Sequence, residues 1–356
     1  MPLDPRTPVL IGTGQFLHRA SGLDDALGAS ELMAEAIRLA ATDAGLASVP
    51  QPDSWRVVSL LSWRYGDPAW VIAQHLGLEP RDTAATTMGG NTPQTLVNTT
   101  ALDIQRGDAD LVVLAGGEAW RTRMRARDAG VDLAWPKAPD DRMPRVLGDD
   151  LEMNLAAERD RGVSMPVHVY PMFETAIRAA AGRSVEEHRR VIGELWARCS
   201  EVAAGNPNAW LRTARTADEI TTPTDTNRMI GFPYTKSMVS NNAVDMAAAV
   251  IMCSAERAAA LGVPRDRWVF VHSGTDCHEH NYISNRLSFA ETPAIELGGR
   301  LALQLAGLGI DDIELIDLYS CFPSAVQLGA QSLGLSLDRP LTVTGVVLPV
   351  VVPSPS

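Results

Sequence analysis

The chain has 356 residues, 46% of them hydrophobic and 21% charged, with a formal charge of -12. That is enough for one large soluble domain or two to three smaller ones with a sizeable core. The negative balance, with no basic run interleaved with aromatics, argues against a surface that tracks nucleic-acid phosphates. Cys199, Cys253, Cys277 and Cys321 are far apart with no CxxC, MPLDPRTP is not a signal peptide, and no apolar run nears the roughly 20 residues that span a bilayer. A reduced, cytoplasmic protein without membrane or nucleic-acid partners is expected.

In chain order, Pro8 to Phe16 (PVLIGTGQF) reads as a buried strand. Its Gly12-Thr13-Gly14 lacks the third glycine of a dinucleotide loop, and the next helical pattern begins only near Ser30. Ser30 is expected to cap a helix through Ala44 with an apolar face of Leu32, Ala36, Leu39 and Ala40, stopped by Gly45. Trp55 to Leu61 is a second strand and Pro68 to Leu76 a short helix. AATTMGGNTPQTLVNTTALDI (Ala84 to Ile104) is a strand, a tight turn through Gly89 and Gly90, and a helix entered behind Asn91 with Pro93 near its first position. Asp110 to Gly116 (DLVVLAG) is a continuous apolar strand of the kind buried in parallel sheets.

From about Arg121 to Thr235 the chain turns charge-rich and Pro-rich, which suggests an inserted lobe. Its clearest element is a helix from Ser184 to Ala204 opened by a capping box, Ser184-Val185-Glu186-Glu187. Alternation then resumes. Asp245 to Ser254 is an apolar segment, Glu256 to Gly262 a helix, Trp268 to Ser273 a strand, Thr292 to Gly307 an amphipathic helix, Ile313 to Tyr319 a strand and Pro323 to Gly334 a helix. The alternation predicts an α/β layered fold.

A family resemblance rests on four marks in order. MGGNTPQTLV (Met88 to Val97) followed by ADLVVLAGGEAW (Ala109 to Trp120) resembles the thiolase superfamily's nucleophile loop opening a helix, then a strand ending in an AGG-type turn. SNNAVDMAAAVIMCSAERAAALG (Ser240 to Gly262) is similar to the family's Asp-Gly-Ala-Ala-Ala segment. IELIDLYSCFPSAVQ (Ile313 to Gln327) stands in the place of its Asn-Glu-Ala-Phe or His-Asp-Cys-Phe motif. The likeness reaches Gly345 and is nearest to the sterol-carrier-protein-type thiolases and the thiolase-like proteins named acetyl-CoA acetyltransferases. It implies a duplicated five-layer α-β-α-β-α fold whose second half is incomplete. Residues 1–120 and 236–262 would form the first half, 121–235 an inserted loop domain, 263–345 the second half and 346–356 a non-family tail.

The family's chemistry uses a cysteine nucleophile at the helix end, an oxyanion site that includes the Asn or His of the later strand, a Gly-His-Pro histidine and a second cysteine. Gly89 stands at the nucleophile position and can form no thioester. Tyr319 stands at the Asn/His position, where its phenol can donate to a thioester or ketone oxygen. The histidine and final cysteine segments are not found. Cys321 is a substitute nucleophile or a small buried filler. Gly89, Gly90 and Asn91 form an acyl-group or anion cradle, or merely a tight turn. Asn241 and Asn242 match the pantetheine-contacting loop, or serve as turn residues. His272, Cys277, His278 and His280 are conspicuous in VHSGTDCHEH, but loop histidines commonly face solvent and no metal is expected.

The resemblance therefore implies an acyl-CoA-binding protein of the acetyl-CoA acetyltransferase family without thiolytic or Claisen activity. No cofactor is expected to be covalently bound, and a coenzyme A thioester is the expected ligand. The alternatives are a thiolase-fold acyltransferase or retro-aldolase using Tyr319, and a non-enzymatic scaffold. A homodimer through first-half sheet edges, or an accessory subunit, are the expected partners. The tail VVLPVVVPSPS suggests a frameshifted or truncated reading of a longer protein, because Gly-Gly-Leu-Thr codons shifted by one nucleotide can read Val-Val-Leu-Pro.

Overall fold

The computed structural model describes residues 3–318 and 321–345. The chain divides into two compact units, Met1–Asp150 with Asn242–Gly274, and Leu151–Asn241 with Thr275–Ser356. The first unit opens with β1 (Pro8–Leu17), α1 (Ala29–Asp43), β2 (Ser54–Val57), α2 (Pro68–His75), β3 (Asp82–Thr86), α3 (Thr92–Arg106), β4 (Leu111–Ala119), α4 (Trp120–Ala129) and β5 (Arg145–Leu147). The second unit follows with α5 (Ala156–Arg159), α6 (Pro166–Ala180), α7 (Val185–Gly205), α8 (Ala217–Thr221), β6 (Met229–Gly231) and β7 (Tyr234–Thr235). The chain returns to the first unit for β8 (Asp245–Ser254), α9 (Ala255–Ala260) and β9 (Val269–Phe270). It then gives the second unit α10 (Pro293–Ala306) and α11 (Pro323–Ser332). No helix among the described residues is long and apolar enough to cross a membrane.

The first unit is built on a sheet of order β5-β3-β2-β4-β8-β1-β9. The strands β5, β3, β2 and β4 run parallel, and β8, β1 and β9 join antiparallel. Alternate residues of β4 serve two cores, as a period of two requires. Val113 and Ala115 pack with α1 and α2, while Val112 and Leu114 pack with Leu96 and Ile104 of α3. Helices on both faces explain why β4 reads as an unbroken apolar run. The approach of α1 to β1 is set by Gly12 and Gly14. A Cβ on Gly12 would lie 2.1 Å from the Ala40 carbonyl oxygen, and one on Gly14 would lie 1.9 Å from that of Ala36. These glycines are therefore helix-packing positions in mid-strand rather than a phosphate loop.

The structure departs from several of the sequence expectations, and the strand expected over Trp268 to Ser273 is only Val269–Phe270. Ser30 does not cap α1: it is fully buried, its Oγ lies 3.0 Å from His75 Nε2, and its N–H donates to the Tyr65 hydroxyl. The helix instead begins behind Gly28, whose N–H is taken by the Glu31 carboxylate at 2.7 Å. The second strand ends at Val57 rather than Leu61, because Ser59 N–H turns to Thr86 Oγ1 and Leu61 N–H to Glu118. The chain also differs from expectation over the described part of Ile313 to Tyr319. Residues 313–318 form no strand, and among the described residues the backbone bond that ties them to a distant segment is Leu318 N–H to the Leu341 carbonyl at 2.9 Å. A strand needs a continuous ladder to either side, and one such bond does not supply it.

The second unit packs α6, α7 and α11 around Ile192, Trp196, Tyr234, Phe322 and Val326. The capping box of α7 forms as the sequence suggests, with Ser184 Oγ accepting Glu187 N–H and Glu187 accepting Ser184 N–H. Among the described residues this unit has no sheet beyond the β6–β7 pair. α10 buries only Gly298, and Leu297, Leu305 and Leu308 are exposed on or beside it. The tail after Gly345 and Tyr319 lie outside the described residues.

Candidate functional site

The glycine turn lies in the first unit, past the carboxyl end of β3. In sheets with a parallel part, that end is where ligands generally bind. Thr87 N–H fixes the start of the turn to the Leu147 carbonyl of β5 at 3.0 Å. Gly89 is half-buried, while Gly90 and Asn91 are exposed. The Gly89 carbonyl accepts Thr92 Oγ1 at 2.8 Å and Thr92 N–H at 3.3 Å, and the Asn91 carbonyl accepts the N–H groups of Gln94 and Thr95. Pro93 has no N–H to offer. The first-turn donors of α3 are thus bonded to the chain's own carbonyls, so an anion here would feel the helix field more than open N–H groups.

Gly89 does not have a positive φ, so its backbone does not demand glycine. A Cβ there would meet Asn91 Oδ1 at 2.8 Å and Thr92 Cγ2 at 3.2 Å. The first of these is the end of a side-chain amide that can rotate away. The missing side chain is therefore a chemical difference at this turn, and steric necessity does not account for it.

Near the end of β4, two strands from β3 in the sheet, sits Glu118, which is 8% exposed. Its two oxygens accept Leu61 N–H at 2.6 Å and Ser62 N–H at 2.9 Å, and Ser62 Oγ accepts Ala119 N–H. The carboxylate thus shapes the loop that follows β2. Asp245, fully buried at the start of β8, does the same for α4 by accepting Thr122 N–H and Thr122 Oγ1. Burial pushes both carboxyl groups above their ordinary values, against hydrogen bonds that pull the other way. The folded state then holds each proton more tightly than the unfolded state. Stability from Glu118 accordingly falls as pH rises from the ordinary value of 4.5 through the raised one. The Tm of wild type minus that of Glu118→Gln is expected to fall over that rise, and a value that increases with pH would contradict the assignment.

The second unit holds Cys321, 4% exposed, directly before Phe322, the N-cap of α11. The Cys321 carbonyl accepts Ser240 N–H at 3.2 Å. Phe322 stacks on Tyr170 with ring centres 4.3 Å apart and tilts against Tyr234 at 5.2 Å. Asn241, the last residue of this stretch of the second unit, and Asn242, where the chain returns to the first, are each half-buried. Asn242 Oδ1 is buried with no hydrogen-bond partner among the described residues, while its backbone carbonyl accepts Val244 N–H. His272, Cys277, His278 and His280 are exposed, and no group of three or more His, Cys, Asp or Glu side chains suited to a metal occurs among the described residues. The structure thus joins Gly89, Gly90 and Asn91 on one turn and sets Cys321 beside Ser240.

Known structures share this architecture. A monomeric SCP2-thiolase-like protein type 1 from Mycobacterium smegmatis matches with a TM-score of 0.79 and 31% identity, over 98% of this chain and 68% of its own. The chain belongs to the SCP2-thiolase-like family. The Ltp2–ChsH2(DUF35) aldolase matches with a TM-score of 0.71 and 18% identity, over 96% of this chain and 85% of its own. An acetyl-CoA acetyltransferase from Syntrophomonas wolfei matches at 0.60 and 14%, over 95% and 85%. These last two share the fold. No protein-family model and no curated protein sequence matches the chain.

In this SCP2-thiolase-like chain, two charged groups of the first unit escape a reading by motif. Glu118 is visible only as the lone carboxylate closing the apolar run LVVLAGGEA. Arg56, 2% exposed in β2, donates to Ser54 Oγ, Thr100 Oγ1 and Asp103 Oδ2, the last at 2.6 Å. It lines a cleft of about 360 Å³ with Asp82, Asp103 and Arg145. That cleft lies at the amino ends of the parallel strands, away from the Gly89 turn. Four of its charges pair, Arg145 to Asp82 at 2.9 Å and Arg56 to Asp103, and Asp53 accepts the Asp110 and Leu111 N–H groups, so these side chains act as structural ties.

Proposed function

We propose that this SCP2-thiolase-like chain binds acyl-CoA thioesters and lacks thiolytic and Claisen activity. The observation that carries the reading is Gly89, at the strand-turn-helix position where the thiolase resemblance places a cysteine. The glycine turn then serves as a cradle for the thioester group, with the α3 dipole favouring negative charge on its oxygen. Asn241 and Asn242 serve the pantetheine arm. Asn242 Oδ1, buried without a hydrogen-bond partner among the described residues, supports this assignment, since an amide N–H from a ligand would offset a penalty of about 1–3 kcal/mol. Tyr319 and Cys321 stand at positions that the thiolase resemblance gives to the acyl end, and any accessory subunit would act on the acyl-CoA complex.

Acetyl-CoA tests this directly. At 100 times Kd it is expected to stabilise the native state by about 2.7 kcal/mol, read as a rise in Tm, with no acetyl adduct in the intact mass. A stable acyl-protein, or a Tm indifferent to acetyl-CoA and CoA, would overturn the proposal. The aldolase among the structural neighbours favours a second reading, carbon–carbon cleavage of an acyl-CoA with Tyr319 as donor. That reading requires turnover that disappears in Tyr319→Phe while binding remains.

A further inference from the structure

Four elements of the second unit meet on one buried carboxylate. Glu174 of α6 has no exposed surface. At Oε1 it accepts from His188 Nε2 of α7 at 2.5 Å and from Gln327 Nε2 of α11 at 2.6 Å. At Oε2 it accepts the Tyr234 hydroxyl of β7 at 2.6 Å. The Tyr234 oxygen also lies 2.9 Å from Ser324 Oγ. A phenol has one hydrogen, so with that hydrogen on the carboxylate, Ser324 is the donor of the second bond. Arg183 Nη1 stands 3.4 Å from His188 Nδ1. This assigns Nδ1 as acceptor and places the ring hydrogen on Nε2, facing Glu174. Burial first, and the Glu174 carboxylate second, keep the Tyr234 phenol protonated far above its ordinary range.

Apolar residues of similar volume commonly stabilise a core as well as a buried charged network does, so stability alone is a weak reason for this one. Its geometric product is specific. Ser324 and Gln327 occupy the first turns of α11, whose N-cap is Phe322 and whose preceding residue is Cys321. Phe322 is held between Tyr170 of α6 and Tyr234 of β7, and the Cys321 carbonyl is tied to Ser240 N–H. We propose that Glu174, with Tyr234 and His188, is a set of positioning residues for this turn, fixing the Cys321 thiol through the first turns of α11. The functional meaning of the turn rests on the acyl-CoA reading, while the positioning itself does not.

The four cysteines make the test internal to the protein. Cys277 is exposed and reports the reagent, whereas Cys199 on α7 and Cys253 on β8 are buried and report general opening of their units. Iodoacetamide labelling followed by peptide mapping gives each thiol's rate in wild type, Tyr234→Phe and Glu174→Gln. Cys321 is expected to label at least tenfold faster in both variants, with Cys199 and Cys253 at their wild-type rates. Ser324→Ala, which removes one bond and leaves the carboxylate in place, is expected to give a smaller rise of about threefold if either larger change prevents folding. An unchanged Cys321 rate overturns the proposal, and so does a rise shared by Cys199, because that pattern marks loss of stability rather than loss of position. Failure of acetyl-CoA to shift Tm sinks the acyl-CoA reading and leaves this result standing.

Discussion

Gly14→Val is expected to leave little folded protein. Even the first carbon of the new side chain would stand 1.9 Å from the Ala36 carbonyl oxygen and 2.6 Å from the Ala40 backbone nitrogen. Both atoms belong to the backbone of α1, so no rotamer change relieves the overlap and the helix itself must retreat from β1. That retreat would open the contacts of Leu32, Met33, Ala36, Ile37 and Ala40, all fully buried against the sheet. Overpacking of a core typically costs about 1–3 kcal/mol when side chains can give way, and a backbone clash belongs at or above the top of that range. Against a total stability of about 5–15 kcal/mol for a typical protein, a sharp fall in soluble yield and in Tm is the expected measurement. Gly12→Val should behave alike, since its Cβ would meet the Ala40 carbonyl. Normal Tm in either variant would show that α1 does not sit on these glycines.

Arg56→Ala is expected to lower stability by about 3 kcal/mol, at the lower end of what breaking a buried ion pair costs, because the Asp103 side chain keeps 28% exposure and can recover some water. The guanidinium reaches three acceptors on two elements, Ser54 of β2 and both Thr100 and Asp103 of α3. Arg56→Lys should recover less than half of the loss, since an ammonium cannot present the same planar fork. Urea unfolding reads both: a lower midpoint at unchanged slope means lost stability. If Arg56→Ala left the midpoint unchanged, the cleft at the amino ends of the strands would not be a structural tie.

Much of the first unit was legible in the order of residues because its signals are local. The apolar run of β4, the Gly45 stop of α1 and the strand-turn-helix around Gly89 all depend on neighbours within a few residues, and their elements formed where the sequence placed them. The Asp245 to Ser254 run likewise became β8 between the same two residues. The failures share a different cause. Ser30 looked like a cap, but Tyr65 and His75, both 35 or more positions away, claimed its N–H and hydroxyl. Ile313 to Tyr319 looked like a strand, but strands exist only with partners, and among the described residues, 313–318 have a single ladder-like bond, to Leu341.

The sequence by itself determined the identity of the groups: a glycine at the turn where the resemblance expects sulfur, and a fold pattern spread over four motifs in order. Tertiary structure alone decided which groups meet. Glu174 and Gln327 are 153 positions apart, and Thr122 and Asp245 are 123 apart, yet each pair shares a hydrogen bond inside the core. Side-chain periodicity reports which face of an element is apolar. Which polar group that face will meet depends on the packing of distant elements, and no local pattern encodes it.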